Sequence, residues 1–179
     1  MKNKQMKGLA MKTFFIILLS FWAVSCGPSY KLINTAPPGV TTITIKTSDK
    51  AQDAYIVFSK ILLKDNFELT QNDPSLLMII TKPTSKSYGM GGMGKIIVKI
   101  LAEVEQKDNF AIITVKGWFL DYSTYSAVYT SSGLSESDFD FDRNGTPIEN
   151  SGMSGSSLKD SWQLMQSIAE KYPNATITF

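Results

Sequence analysis

Asp138, Asp140 and Asp142 alternate with Phe139 and Phe141, and Arg143-Asn144-Gly145 follows. Counted from Asp140, oxygen donors fall at the first, third and fifth places and a glycine at the sixth. That is the front half of a twelve-place calcium loop, in which hard oxygens at alternate positions face the ion and the glycine makes the sharp turn. Asp140, Asp142 and Asn144 are therefore candidate calcium ligands. The twelfth place, where a bidentate Glu closes such a loop, holds Ser151, and Glu149 falls two places early. Asn144-Gly145 is also the preferred pair for a two-residue hairpin turn. A hairpin would set the three Asp on a solvated face and the two Phe on the other. The hairpin explains more of the string, and calcium stays as the alternative.

Gly89-Met90-Gly91-Gly92-Met93-Gly94 spells G-x-G-x-x-G. A dinucleotide loop needs a strand before it and a helix after it, so that phosphate sits on the helix N-terminus. Lys95-Ile96-Ile97-Val98 follows, and its β-branched alternation predicts a strand. No Gly-Lys-Ser/Thr is present for a P-loop. The string predicts a hairpin loop between two strands, with Met90 and Met93 as an adaptable apolar contact for a partner or a lipid surface. Trp118, Phe119, Tyr122, Tyr125 and Tyr129 crowd one region. Aromatics in strands are mostly core and cross-strand pairs; the alternative is a platform for sugar, lipid or protein.

The catalytic toolkit is thin. The chain has no histidine, which removes the commonest general base and the usual transition-metal ligand. It has one cysteine, Cys26, so neither an intramolecular disulfide nor a zinc site of N/S ligands is available. Ser85-Lys86-Ser87 and Ser59-Lys60 have no recognised nucleophile spacing. The expectation is a protein that is not an enzyme and has no cofactor other than the calcium alternative. A hydrolase working through carboxylates near 138–142 is the competing class.

The first residues carry an address. Lys2, Lys4, Lys7 and Lys12 precede an apolar run of 11 residues, Phe14 to Val24, interrupted only by Ser20. Crossing hydrocarbon takes about 20 apolar residues, so the layout predicts a cleaved secretory signal. Met11 would start an equally well-formed signal. Ala23-Val24-Ser25-Cys26 resembles the lipobox of bacterial lipoproteins, although that pattern prefers Leu where this chain has Ala23. The resemblance implies cleavage between Ser25 and Cys26, with diacylglycerol on the Cys26 sulfur and an acylated amine. The partner it implies is a lipid bilayer, and the location is the cell envelope. Asp after the lipidated cysteine resembles an inner-membrane retention signal; Gly27 stands there, which favours the outer membrane. Four of the 18 Lys+Arg lie before Cys26 and all 16 acidic residues after it, so the mature chain has 14 basic side chains, net −2. No basic footprint for nucleic acid remains.

These segments give the domains: a signal at 1–25, lipidated Cys26 with a tether to 39, and one α+β domain at 40–179. At roughly 3.3 Å per residue, such a tether reaches tens of ångströms. Thr41–Thr47 alternates and predicts a strand. Ser48-Asp49 are expected helix caps, with Gln52 completing a capping box from Asp49. Ala51, Ala54, Tyr55, Phe58, Ile61 and Leu62 form the stripe of a helix ending near Asp65-Asn66. After Phe67 and Leu69 comes a turn at Asn72-Asp73-Pro74, then a central strand from Leu76 to Thr81. A long strand, Lys95–Glu105, and its hairpin partner, Phe110–Leu120, follow, and Tyr125–Thr130 is a possible further strand. Residues 131–157, rich in Ser, Gly, Asp and Asn, predict a long loop with one hairpin. Ser156 or Ser157 caps a last helix with Leu158, Trp162, Met165, Ala169 and Tyr172 on one stripe, and Ala175–Phe179 is an expected edge strand.

The sum is a mostly antiparallel sheet of about four to five strands with two helices on one face. In element order and size this resembles the small outer-membrane lipoprotein of the lipopolysaccharide translocon. The functional expectation is a membrane-anchored, non-catalytic binding or assembly module for an envelope partner. The alternatives are the periplasm-facing or surface hydrolase and a calcium- or ligand-binding surface module.

Overall fold

The computed structural model describes residues 31–32, 35–88, 94–121, 145–151 and 156–179. In chain order the elements are β1 (Lys31–Leu32), β2 (Thr42–Thr47), α1 (Ala51–Lys64), β3 (Leu69–Asp73), β4 (Met78–Thr81) and β5 (Thr84–Tyr88). Then come β6 (Gly94–Lys107), β7 (Phe110–Asp121), β8 (Thr146–Pro147), α2 (Ser157–Glu170) and β9 (Thr176–Thr178). The strands form one sheet in the order β1-β9-β2-β7-β6-β4-β3, with β5 also on β6 and β8 also on β7. Every pairing is antiparallel except β1 with β9. The fold is α+β, as the pattern of elements predicts.

The strand count is a correction: nine strands among the described residues, against four to five expected. The extra strands are short. β1, β3, β5 and β8 span two to five residues each. That is too short for a period of two to register. β9 is not an edge strand, because β1 lies on its outer side. The strand expected from Leu76 to Thr81 is interior to the sheet, between β3 and β6, but shorter than expected. Its paired part is Met78–Thr81, one strand from the sheet edge, and Leu76 stands exposed in the turn before it.

The core explains why the long hairpin holds. Ile96, Val98, Ile100, Ala102 and Val104 alternate along β6, and their cross-strand partners on β7 are Asp121, Phe119, Gly117, Val115 and Ile113. Ile43 and Ile45 of β2 continue the same rows beside Val115 and Ile113. Both helices bury their apolar stripes on this face, in one cluster containing Phe58, Leu62, Trp162 and Met165. Fully burying a side chain of that size stabilises by about 1.5–3 kcal/mol. The opposite face carries a smaller cluster, Ile97 and Leu120 with half-buried Trp118.

The capping box expected at Asp49 does not form. The N-cap of α1 is Lys50, with no side-chain cap. Asp49 is engaged elsewhere: its carboxylate accepts from Thr47 Oγ1 at 3.1 Å and from the Tyr172 hydroxyl at 2.7 Å. The orphan N–H of Ala51 donates instead to Gln106 Oε1 at 2.7 Å, from the end of β6. At its other end α1 stops at Asn66, whose φ of 58° is the left-handed conformation Asn tolerates.

One domain boundary also moves. The stretch expected as tether, 26–39, contains sheet strand β1, so the folded body begins before residue 40. β8 lies in the stretch expected as a long loop with one hairpin, 131–157, and there Ile148 is fully buried and donates its N–H to Gly117 O at 2.8 Å. Gly117 makes that approach possible. A Cβ there would meet Ile148 Cδ1 at 2.8 Å and Met165 Sδ at 3.2 Å.

Candidate functional site: a cleft between the second helix and the entering chain

Ser25, Cys26, Met90, Met93, Asp140, Asp142 and Asn144 lie outside the described residues, as do Tyr122, Tyr125 and Tyr129. The surroundings of two of those strings are described. Tyr88 pairs with Gly94, so residues 89–93 join two adjacent antiparallel strands, as expected for a hairpin loop. β8 follows Gly145 directly and pairs with Trp118 and Phe119. Among the described residues no three His, Cys, Asp or Glu side chains are grouped closely enough to hold a metal ion.

The structure draws together a different set of residues, in a cleft of ≈ 210 Å³. One wall is α2. Ser156 begins the helix, its hydroxyl accepting from the Lys159 N–H at 3.2 Å. The apolar stripe turns Trp162 and Met165 into the core, which sets Lys159, Gln163 and Gln166 along the cleft flank at helical spacing. The opposing wall is Thr35 and Ala36. They are held by Asn150, whose side-chain amide donates to Ala36 O at 2.5 Å and Pro37 O at 3.2 Å. Its backbone accepts from Gly39 N at 2.9 Å and donates to Val40 O at 2.8 Å. Phe179 closes the cleft, its ring 5.8 Å from that of Trp162 at an interplanar angle of 49°.

The lining offers side-chain amides, a hydroxyl, an aromatic floor and one ammonium, and no side-chain carboxylate. No nucleophile is paired with a base. Gln166 is steadied by donating to Glu170 Oε1 at 2.8 Å. Sequence reasoning found the stripe that packs α2 but passed over its polar flank. Lys159, Gln163 and Gln166 become a site only when residues 35–36 and 150 arrive from far away in the chain.

Two polar clusters brace the helices. Tyr172 is fully buried, and burial first, then its bond to Asp49, raises its pKa above the ordinary value of 10.0. Lys86 donates to the backbone carbonyl of Asp65 and stands 4.0 Å from the Phe67 ring centroid. Burial lowers its pKa.

Comparison with protein-family models and with curated proteins finds no match to this chain.

Proposed function

We propose that this chain is a lipid-anchored envelope protein whose α+β domain is a non-catalytic binding or assembly module, held at the outer membrane through acylated Cys26. The observation that carries the proposal is Ala23-Val24-Ser25-Cys26 behind a basic segment and an 11-residue apolar run. Several acyl chains on one residue anchor stably, since each buried methylene contributes about 0.8 kcal/mol. No helix among the described residues is long and apolar enough to cross a membrane. The cleft beside α2, which presents hydrogen-bonding groups without a reactive pair, supports a binding role.

The test is metabolic labelling with an alkyne fatty acid, followed by intact-mass analysis of the membrane fraction. The expected species begins at Cys26 and carries lipid. Cys26→Ser should take up no label and keep its leader. Equal labelling of Cys26→Ser and the parent would overturn the proposal.

A further inference from the structure

We propose that the cleft between α2 and residues 35–36 holds a short peptide segment of a partner protein, with an apolar side chain against Phe179 and a neighbouring carboxylate on Lys159. The inference names the ligand class for the binding module of the preceding section and rests on that reading.

Size favours part of a chain over a whole cofactor. Small-molecule sites usually span about 300–1,000 Å³, and this cleft has ≈ 210 Å³, room for one or two side chains. Hydrogen-bonding capacity favours a peptide. Gln163 and Gln166 each present both a donor and an acceptor. A peptide backbone uses both, whereas a phosphate only accepts. Charge favours an acidic neighbour: Lys159 is half-buried, forms no ion pair among the described residues, and has no side-chain carboxylate beside it in the lining.

Topology separates the cleft from the bilayer. β1 enters the sheet at Lys31, opposite Thr176, on the row of Lys46, Ile112 and Glu105. That row lies close to the β6–β7 turn at Asp108-Asn109. The chain then runs away from this turn to Thr35 and Ala36. A lipid on Cys26 would therefore lie toward the turn end of the sheet, and the cleft at the other end. A partner protein reaches that end more readily than a lipid headgroup does.

The experiment uses full-chain protein in detergent, labelled with ¹⁵N, and follows the Trp162 indole N–H, assigned with Trp162→Phe. The probes are N-acetyl-Leu-Glu-amide, N-acetyl-Leu-Gln-amide and glycerol 3-phosphate. The Glu peptide should shift the signal saturably and bind about fivefold more tightly than the Gln peptide, the gain of one partly exposed ion pair. Lys159→Gln should equalise the two peptides, and Lys159→Arg should preserve the difference. Equal affinities in the parent protein overturn the proposal. So does an absence of any shift, or a response to glycerol 3-phosphate alone, which would mark a phosphate or headgroup site. Cys26→Ser should titrate like the parent. Failure of the lipid anchor and failure of the peptide site are thus read separately.

Discussion

Tyr172 places a phenol where no water reaches it, and its hydroxyl donates a hydrogen bond to Asp49 Oδ2 at 2.7 Å. Burial disfavours the phenolate and the neighbouring carboxylate disfavours it further, so the folded pKa lies above 10.0. For a raised pKa the sign is fixed. The contribution to stability is whole below the unfolded value near 10 and is lost as pH rises through the folded value, because only the unfolded chain ionises in between. Tyr172→Phe should cost about 1 kcal/mol at neutral pH, the net worth of one hydrogen bond. Above pH 10 the variant's urea midpoint should fall less steeply than the parent's. Parallel curves from pH 8 to 12 would show that Tyr172 does not couple folding to alkali. The sequence placed Tyr172 on the inner stripe of the last helix. It could not place Asp49 beside it, because the two are 123 residues apart.

At the scale of elements, helix starts are where local and tertiary signals part. The start of α2 was legible: Ser156 caps it from within three residues. The start of α1 was not, since its cap is Gln106, 55 residues away. Gln106 is well placed for this. Its carbonyl takes the Ala51 N–H while its amide donates to Asp108 O and Phe110 O at 3.1 and 3.0 Å. One side chain thus ties the turn of the long hairpin to the first helix. Gln106→Ala should lower stability by about 1–2 kcal/mol, the worth of a cap together with the turn bonds. Adding Lys50→Ser should recover about 1 kcal/mol, because residue 50 already has the extended backbone of an N-cap. Urea denaturation of the three proteins measures both steps, and no recovery would mean the helix start is not limiting. The same division explains the rest of the fold. The α1 stripe, β6 and β7 carry enough periods to be read. β3, all but one of whose residues are polar, and the two-residue β1 and β8 do not. The C-terminal ends of the helices are likewise joined by tertiary contact alone, with Lys171 Nζ 2.5 Å from Asp65 Oδ1.

For the whole molecule, the moved tether boundary changes what an anchor at Cys26 would do. With β1 starting at Lys31, four residues separate it from Cys26. The five steps from Cys26 to Lys31 span at most about 18 Å at roughly 3.6 Å per residue, not the tens of ångströms expected of a long tether. A domain on so short a lead cannot sample orientations freely, and the end of the sheet by which β1 enters should face the bilayer. That end carries the β6–β7 turn, with Asn109 exposed at its tip. Gln163, exposed on the cleft, lies toward the other end. If acylation consumes Cys26, the one cysteine of the chain, Asn109→Cys and Gln163→Cys each offer a unique thiol for a fluorophore. In vesicles containing spin-labelled lipid, the dye at Asn109 should be quenched more strongly than the dye at Gln163. Equal quenching would imply a freely turning domain. Stronger quenching at Gln163 would place the cleft against the membrane and favour a headgroup over a peptide as its ligand. The ordering expected here follows from strand direction alone: β1 runs from the end of the sheet near the β6–β7 turn toward the cleft, so with an anchor at Cys26 the same two residues that shorten the tether would also turn the cleft away from the bilayer.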